Sequence, residues 1–192
     1  MGRKAYFKNE EFINSAVQII AKDGLKALTI AALAKRINAP VGSVYHRFPS
    51  RDALLAEVWL NIIELFQNEF LEKLQDDGLQ ATLSCVQWVR MHPNEARIML
   101  LYRIYDLTSG KWPEDLQKRA RRLAKELQEG IFAFTKKQFG HVTKENTDRA
   151  IFAIYDAPIG IIRRYLRDDK VPPQSVNDLV RETYEAVIEK AK

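Results

Sequence analysis

The chain has little of what secreted, membrane-spanning or catalytic proteins depend on. Its 192 residues include one cysteine, Cys85, so no internal disulfide forms, in keeping with a reducing compartment. The setting of that cysteine, Leu83-Ser84-Cys85-Val86, reads as helix packing rather than chemistry. No apolar run approaches the ~20 residues that a membrane span requires. The charged stretch from Met1 to Asn14 carries no export signal, and a cytoplasmic location is expected. Gly-x-Gly phosphate loops, a Gly-x-Ser-x-Gly elbow and Cys/His ligand clusters are all missing. His92 with Glu95, and His141 with Glu145, have spacings that suit a metal on a helix face. Each pair is isolated at a helix boundary, however, and reads as solvated surface. No catalytic residue, metal or cofactor is therefore expected.

What is present points to a folded helical protein with an uneven charge. The apolar fraction of 46% is ample for a core. Residues 1–50 carry eight Lys/Arg against Glu10, Glu11 and Asp23, which is the entire net charge of +5. Residues 51–192 hold 22 basic and 22 acidic residues and are neutral. A basic segment attracts phosphates and releases condensed counterions, so the excess points to nucleic acid as a partner of the N-terminal part.

The stretch Thr29–Phe48 explains why the charge lies there. Thr29 stands where an N-cap belongs, before Ile30, Leu33, Ala34 and Ile37 at helical spacing. Asn38 follows, the non-glycine residue that most readily takes the left-handed conformation of a helix end. Pro40 pre-sets φ for the first turn of a second helix. Ala34 is small where that helix must cross, and Leu33, Ile37 and Val44 can bury together. This is the layout of a helix-turn-helix, whose second helix enters a major groove.

The rest of the chain also reads as helices, nine in all, with no convincing strand. Residues 1–8 form a basic arm, and Asn9 caps a helix with the apolar face Phe12, Ile13, Ala16, Val17, Ile19 and Ile20. Gly24 ends it in the left-handed conformation, with Leu25 folding back. Ser50 caps a long fourth helix that runs to about Leu74 and joins residues 1–50, a helix-turn-helix domain, to residues 51–192, a second helical domain. Further helices run from Leu79 to Met91, Pro93 to about Asp106 and Pro113 to about Phe139. Thr143 or Asn146 opens the next, in which Pro158 and Gly160 predict a kink or close packing, and Ser175 caps the last.

The run from Phe12 to Leu54 resembles the N-terminal domain of TetR-family transcriptional regulators. The resemblance rests on Gly24, Leu28-Thr29-Ile30, Leu33-Ala34, Gly42-Ser43-Val44-Tyr45-His46-Arg47-Phe48 and Ser50-Arg51-Asp52-Ala53-Leu54. Asn38 stands where the family usually has Gly, and Pro40 where it often has Ser or Thr, which removes one hydroxyl able to reach phosphate. The resemblance implies a homodimer on a palindromic operator, usually a repressor, released when a small molecule enters the C-terminal domain. It places Val41, Gly42 and Ser43 in the major groove, with Thr29, Tyr45, His46 and Arg51 near phosphates. Lys4 and Arg3 would reach a minor groove from the arm. Gly42 permits close backbone approach, and Ser43 and Tyr45 offer hydroxyls to bases or phosphates.

The second domain then has to dimerise and sense. By resemblance, and from the small surface at Pro158-Ile159-Gly160, the dimer interface is expected on the last two helices, at Tyr155, Pro158, Ile159, Ile162, Tyr184 and Ile188. Candidates to line an effector cavity are Trp59, Phe66, Trp88, Met91, Met99, Tyr102, Tyr105, Phe132 and Tyr155. No strongly polar motif lies among them, which suggests an apolar or aromatic effector. The alternative from a different class is a helical ligand-binding or protein-interaction module with no DNA role. A steep fall of DNA affinity with salt separates the two.

Overall fold

The computed structural model describes residues 9–102 and 112–189, and among these every regular element is helical. Nine helices are present among the described residues: α1 (Asn9–Asp23), α2 (Ile30–Arg36), α3 (Val41–Arg47), α4 (Arg51–Asp76), α5 (Gly78–Met91), α6 (Pro93–Leu101), α7 (Glu114–Phe139), α8 and α9. Helix α8 has two halves, Lys144–Ile151 and Ala157–Arg167, joined by a π-helical turn at Phe152–Asp156. Helix α9 runs over Val176–Tyr184 and ends in a second π-helical turn, Glu185–Glu189. The basic arm, Tyr105 and the end of the helix expected to reach Asp106 lie outside the described residues.

Local chemistry sets most boundaries. The hydroxyls of Thr29, Ser50 and Thr143 accept hydrogen bonds from the backbone N–H groups of Ala32, Ala53 and Asn146, at 3.0, 3.0 and 3.2 Å. Asp77 does the same for α5, accepting from Leu79 and Gln80. The chain reverses at Gly24 and Gly140 with φ of 82° and 78°, a conformation that side chains oppose. Just after Gly24, Leu25–Ala27 forms a 3-10 turn that helical periodicity did not anticipate. Ser175 makes no side-chain cap. The loop before α9 is held instead by Arg90 of α5, which donates to the carbonyls of Pro172 and Pro173 at 2.7 and 2.6 Å.

Proline explains the irregularity in α8. Pro158 has no N–H for the carbonyl of Ile154 four residues earlier, and the helix widens into the π-helical turn immediately before it. The Cys85 sulfur lies 4.0 Å from that carbonyl oxygen and 3.6 Å from the Ala81 oxygen. Complete burial pushes the Cys85 thiol up to about 12, so it stays protonated and packs as a small apolar group. The packing role expected of Cys85 is the one it has.

The main apolar core among the described residues runs from Phe12 in α1 to Ile188 in α9. Helix α4 is its axis. It packs against α1 and α6 near its start and against α5 and α7 along its length, and Gln67 donates to the Leu123 carbonyl of α7 at 2.8 Å. Phe66 sits edge-on to Trp88 of α5 at 5.2 Å and stacked with Phe70 at 5.8 Å. A smaller cluster, Ala56, Leu60, Leu116 and Leu123, joins α4 to α7 beside Trp59 and Trp112. No described helix is long and apolar enough to cross a membrane.

Candidate nucleic-acid interface

The geometry begins at the turn between α2 and α3. Asn38 has φ of 52°. Its N–H donates to the Lys35 carbonyl at 3.3 Å, and that of Ala39 reaches back to Ala34 at 2.9 Å. Together these satisfy two carbonyls at the end of α2 in the arrangement that normally uses glycine. The chain turns sharply, and Pro40 becomes the N-cap residue of α3. Burial then fixes which side of α3 looks outward. Val44 is fully buried against the core and Phe48 packs edge-on to Phe12 at 5.5 Å.

The opposite face is open. Val41 is 45% exposed and Tyr45 53%, and Gly42, Ser43, His46 and Arg47 are exposed beside them. A Cβ on Gly42 would meet nothing within 4 Å among the described residues, so the backbone there is accessible to an external surface. The Ser43 hydroxyl donates to the Pro40 carbonyl at 2.7 Å and keeps its acceptor lone pairs outward. Thr29 is exposed, and its oxygen is occupied as the cap of α2.

Arg51 differs from expectation. Its Nε donates to the Leu28 carbonyl and its Nη2 to the Leu25 carbonyl, both at 2.7 Å. The side chain is a strut holding the α1–α2 connection against the start of α4. The two carbonyls, brought close by the 3-10 turn at Leu25–Ala27, take two of its five N–H donors.

The aromatic candidates do not gather into one cavity. Phe66 and Trp88 meet in the main core, with Tyr102 and Tyr155 half-buried at its edge. Trp59 faces Trp112 at 6.1 Å in the smaller cluster. Phe132 and Met91 are exposed, and Met99 is half-buried. The Trp88 indole N–H is buried without a hydrogen-bond partner among the described residues. Helical spacing could not separate core from cavity wall for these residues. A groove of about 490 Å³ instead opens between α4 and α7, over Leu71, Leu74, Gly130, Ala133 and Phe134, with Gln75, Glu126, Glu129 and Lys137 also lining it. Its floor is mostly aliphatic and small, so no aromatic stripe marks it in the sequence.

The expected dimer residues also need correction. Pro158, Ile159, Ile162, Tyr184 and Ile188 are buried inside the chain, and Tyr155 is half-buried. Their spacing is that of a buried stripe, and the stripe faces this chain's own α5 and α6. The outward side of α8 and α9 carries Phe152 (47% exposed), Asp156, Gly160, Arg164 and Leu179 (49% exposed). The His92 ring lies tilted beside that of Trp88 at 5.1 Å, and no group of three or more metal-ligating side chains occurs among the described residues.

A tight two-helix reversal, an inner face fixed by Val44 and Phe48 and an open outer face ending in His46 and Arg47 define a helix-turn-helix unit on an all-helical fold. Residues 12–58 match the family model for bacterial regulatory proteins of the tetR family. Solved structures share the fold over nearly the whole chain. A TetR-family transcription regulator from Marinobacter aquaeolei VT8 is 12% identical with a TM-score of 0.70, over 93% of this chain and 94% of that one. A transcriptional regulator from Rhodococcus sp. Rha1 is 18% identical with a TM-score of 0.69, over 96% and 97%. The regulator FadR from Bacillus subtilis, solved with stearoyl-CoA, is 14% identical with a TM-score of 0.67, over 94% and 98%. No curated protein matches by sequence. Residues 12–58 thus match the helix-turn-helix domain that the tetR family model describes, and the chain as a whole shares the fold of these solved regulators.

Proposed function

We propose that the protein is a repressor that binds a palindromic operator as a homodimer and leaves it when a small, largely apolar or aromatic effector binds. The outer face of α3 carries the reading: Val41, Gly42, Ser43, Tyr45 and His46 stand exposed on a helix whose other side is locked into the core. Gly42 and Ser43 suit close approach to the groove, Tyr45, His46 and Thr29 suit phosphate, and Lys4 extends the contact from the arm. With Val41 and Pro40 apolar, thymine-methyl contact and DNA shape supply much of the specificity.

Dimerisation fits the outward side of α8 and α9. Gly160 lies in a helix, exposed, and a Cβ added there would meet nothing within 4 Å among the described residues. Glycine at such a position costs about 1 kcal/mol relative to alanine, and no neighbour inside the described chain requires it. A partner helix approaching the backbone supplies a reason. Arg163, Arg164 and Arg167 on α8 and Asp178 and Glu182 on α9 are exposed and of opposite sign, so a two-fold pairing of α8 with the partner's α9 brings unlike charges together. For the effector, the α4–α7 groove offers an apolar floor edged by Glu126, Glu129 and Lys137. FadR, which shares the fold, is solved with stearoyl-CoA. A largely apolar effector with a polar end is in keeping with both.

Selection of bound DNA from a random pool tests the reading. A two-fold symmetric site, bound with an affinity that falls steeply with salt, is expected. Salt-insensitive binding, or no enriched site, leaves the alternative of a helical ligand-binding or interaction module.

A further inference from the structure

A polar chain connects the first turns of α7 with the last residue of α3. Arg119 of α7 donates through Nη1 to Glu57 Oε1 of α4 at 3.4 Å, and also pairs with Glu64 through Nε at 2.9 Å. The same Glu57 oxygen accepts from Asn9 Nδ2, at the start of α1, at 3.3 Å. The carbonyl side of the Asn9 amide accepts from Arg47 Nε at 3.2 Å. Arg47 is the C-terminal residue of α3. Four side chains on four helices thus form one line, and the amide that sequence reading gave to capping α1 is its bridge. Asn61 Nδ2 donates to Glu57 Oε1 as well, at 3.3 Å, so this oxygen is the node of the chain.

Two features suit this line for transmission. The Glu57 and Arg119 side chains are only 15% and 21% exposed, so their attraction is less screened than that of the surface pairs along α7. Beside the chain lies a space of about 340 Å³ between Arg47, Pro49 and Glu57 on one side and Pro113, Asp115 and Leu116 on the other. The groups therefore have room to rearrange when α7 shifts against α4. Phe12 and Phe48 hold the neighbouring apolar contact at 5.5 Å, which keeps α3 folded when the polar line is cut.

We propose that Arg119, Glu57 and Asn9 are positioning residues that set the orientation of α3 through Arg47, so that a movement of α7 changes how well the outer face of α3 fits DNA. This rests on the assignment of that face to DNA. None of the three lies on the outer face of α3. Their effect on binding arises from a population of misoriented α3, and coupling of this kind is worth about a tenfold change in affinity.

The test uses the full chain and variants Asn9→Ala, Arg119→Ala, the double variant and Glu64→Gln. On DNA selected by the wild type, the two single variants are expected to bind about tenfold more weakly, with an unchanged salt slope. The double variant binds no more weakly than the worse single, because one line is cut twice. Glu64→Gln removes the charge of the other partner of Arg119 and leaves affinity as in the wild type. Unchanged affinity in both single variants, losses that multiply in the double, or an equal loss in Glu64→Gln would overturn the proposal. Amide hydrogen exchange supplies a readout that needs no DNA. Arg119→Ala is expected to speed exchange in the last turn of α3, whose residues lie more than 70 positions away in sequence. Unchanged exchange there overturns the proposal even if the wild type binds no DNA, whereas that failure of binding by itself sinks only the assignment of the α3 face.

Discussion

Arg51→Met separates a strut from a phosphate ligand. In the structure the guanidinium makes two hydrogen bonds at 2.7 Å to the carbonyls of Leu25 and Leu28. Hydrogen bonds from a charged donor contribute about 1.5–3 kcal/mol each when dry. This side chain is half-buried, so water replaces part of what is lost, and about 2–3 kcal/mol in total is the expected cost. For a chain of this size, that corresponds to a fall in Tm of about 5–10 °C. Arg51→Lys retains the charge, yet its single ammonium serves one carbonyl well, so it recovers about half of the loss. Thermal melts and DNA titrations at several salt concentrations distinguish the roles. A strut predicts lower Tm in both variants and a salt slope for Arg51→Met equal to that of the wild type. A phosphate ligand predicts unchanged Tm, near-normal affinity for Arg51→Lys and a slope reduced by about 0.9 in Arg51→Met. That second pattern would refute the reasoning.

Four other substitutions probe separate parts of the fold. Gly78→Ala improves helix propensity, yet its Cβ would meet the Tyr184 hydroxyl at 2.5 Å and overlap the Phe134 ring. Overpacking of this kind costs about 1–3 kcal/mol, seen as a lower denaturant midpoint, and a more stable variant would contradict the packing. Burial alone would raise the Glu64 carboxyl, but hydrogen bonds and charge from Arg122 and Arg119 outweigh it and hold the pKa below the ordinary value of 4.5. Its folded pKa is depressed, so its contribution is present above the unfolded value and lost as pH falls through the folded one. The stability gap between wild type and Glu64→Gln should therefore narrow between pH 7 and the acid side of the glutamate range, and a constant gap would argue against the pairing. Ile162→Ala, at a fully buried site, should lower stability by about 2–5 kcal/mol without a specific effect on association. Gly160→Leu should weaken dimerisation in sedimentation while leaving helical content intact. Reversed outcomes would return the interface to the buried stripe.

The helix-turn-helix was legible because local chemistry decides it. Thr29 and Ser50 cap as their residue types dictate, and Asn38 takes the left-handed conformation that few other side chains accept. Val44 and Phe48 face inward because α3 has few apolar positions and only one way to bury both. The middle of α8, residues 151–162, is apolar on nearly every side, so periodicity could not say which side meets its own core and which is left for a partner. Its outward face is set by where α5 and α6 lie, and that is a tertiary fact. Arg51 shows the same limit. Its residue type fits phosphate, but the carbonyls that hold it come from residues 23 and 26 positions away, arranged by a 3-10 turn. The aromatics misled for a related reason: helical spacing shows that a residue is buried, not whether a space lies beside it.

The outer face of α3 can be tested by placing one charge on it. Gly42→Glu adds a carboxylate at a position where a Cβ meets nothing within 4 Å among the described residues, so the fold and Tm should be retained. A negative charge against phosphate on a helix that enters the groove should reduce affinity for selected DNA at least ~100-fold, since like charge at an interface costs several kcal/mol. A folded Gly42→Glu protein that binds this DNA as the wild type does would contradict the assignment of α3 to DNA.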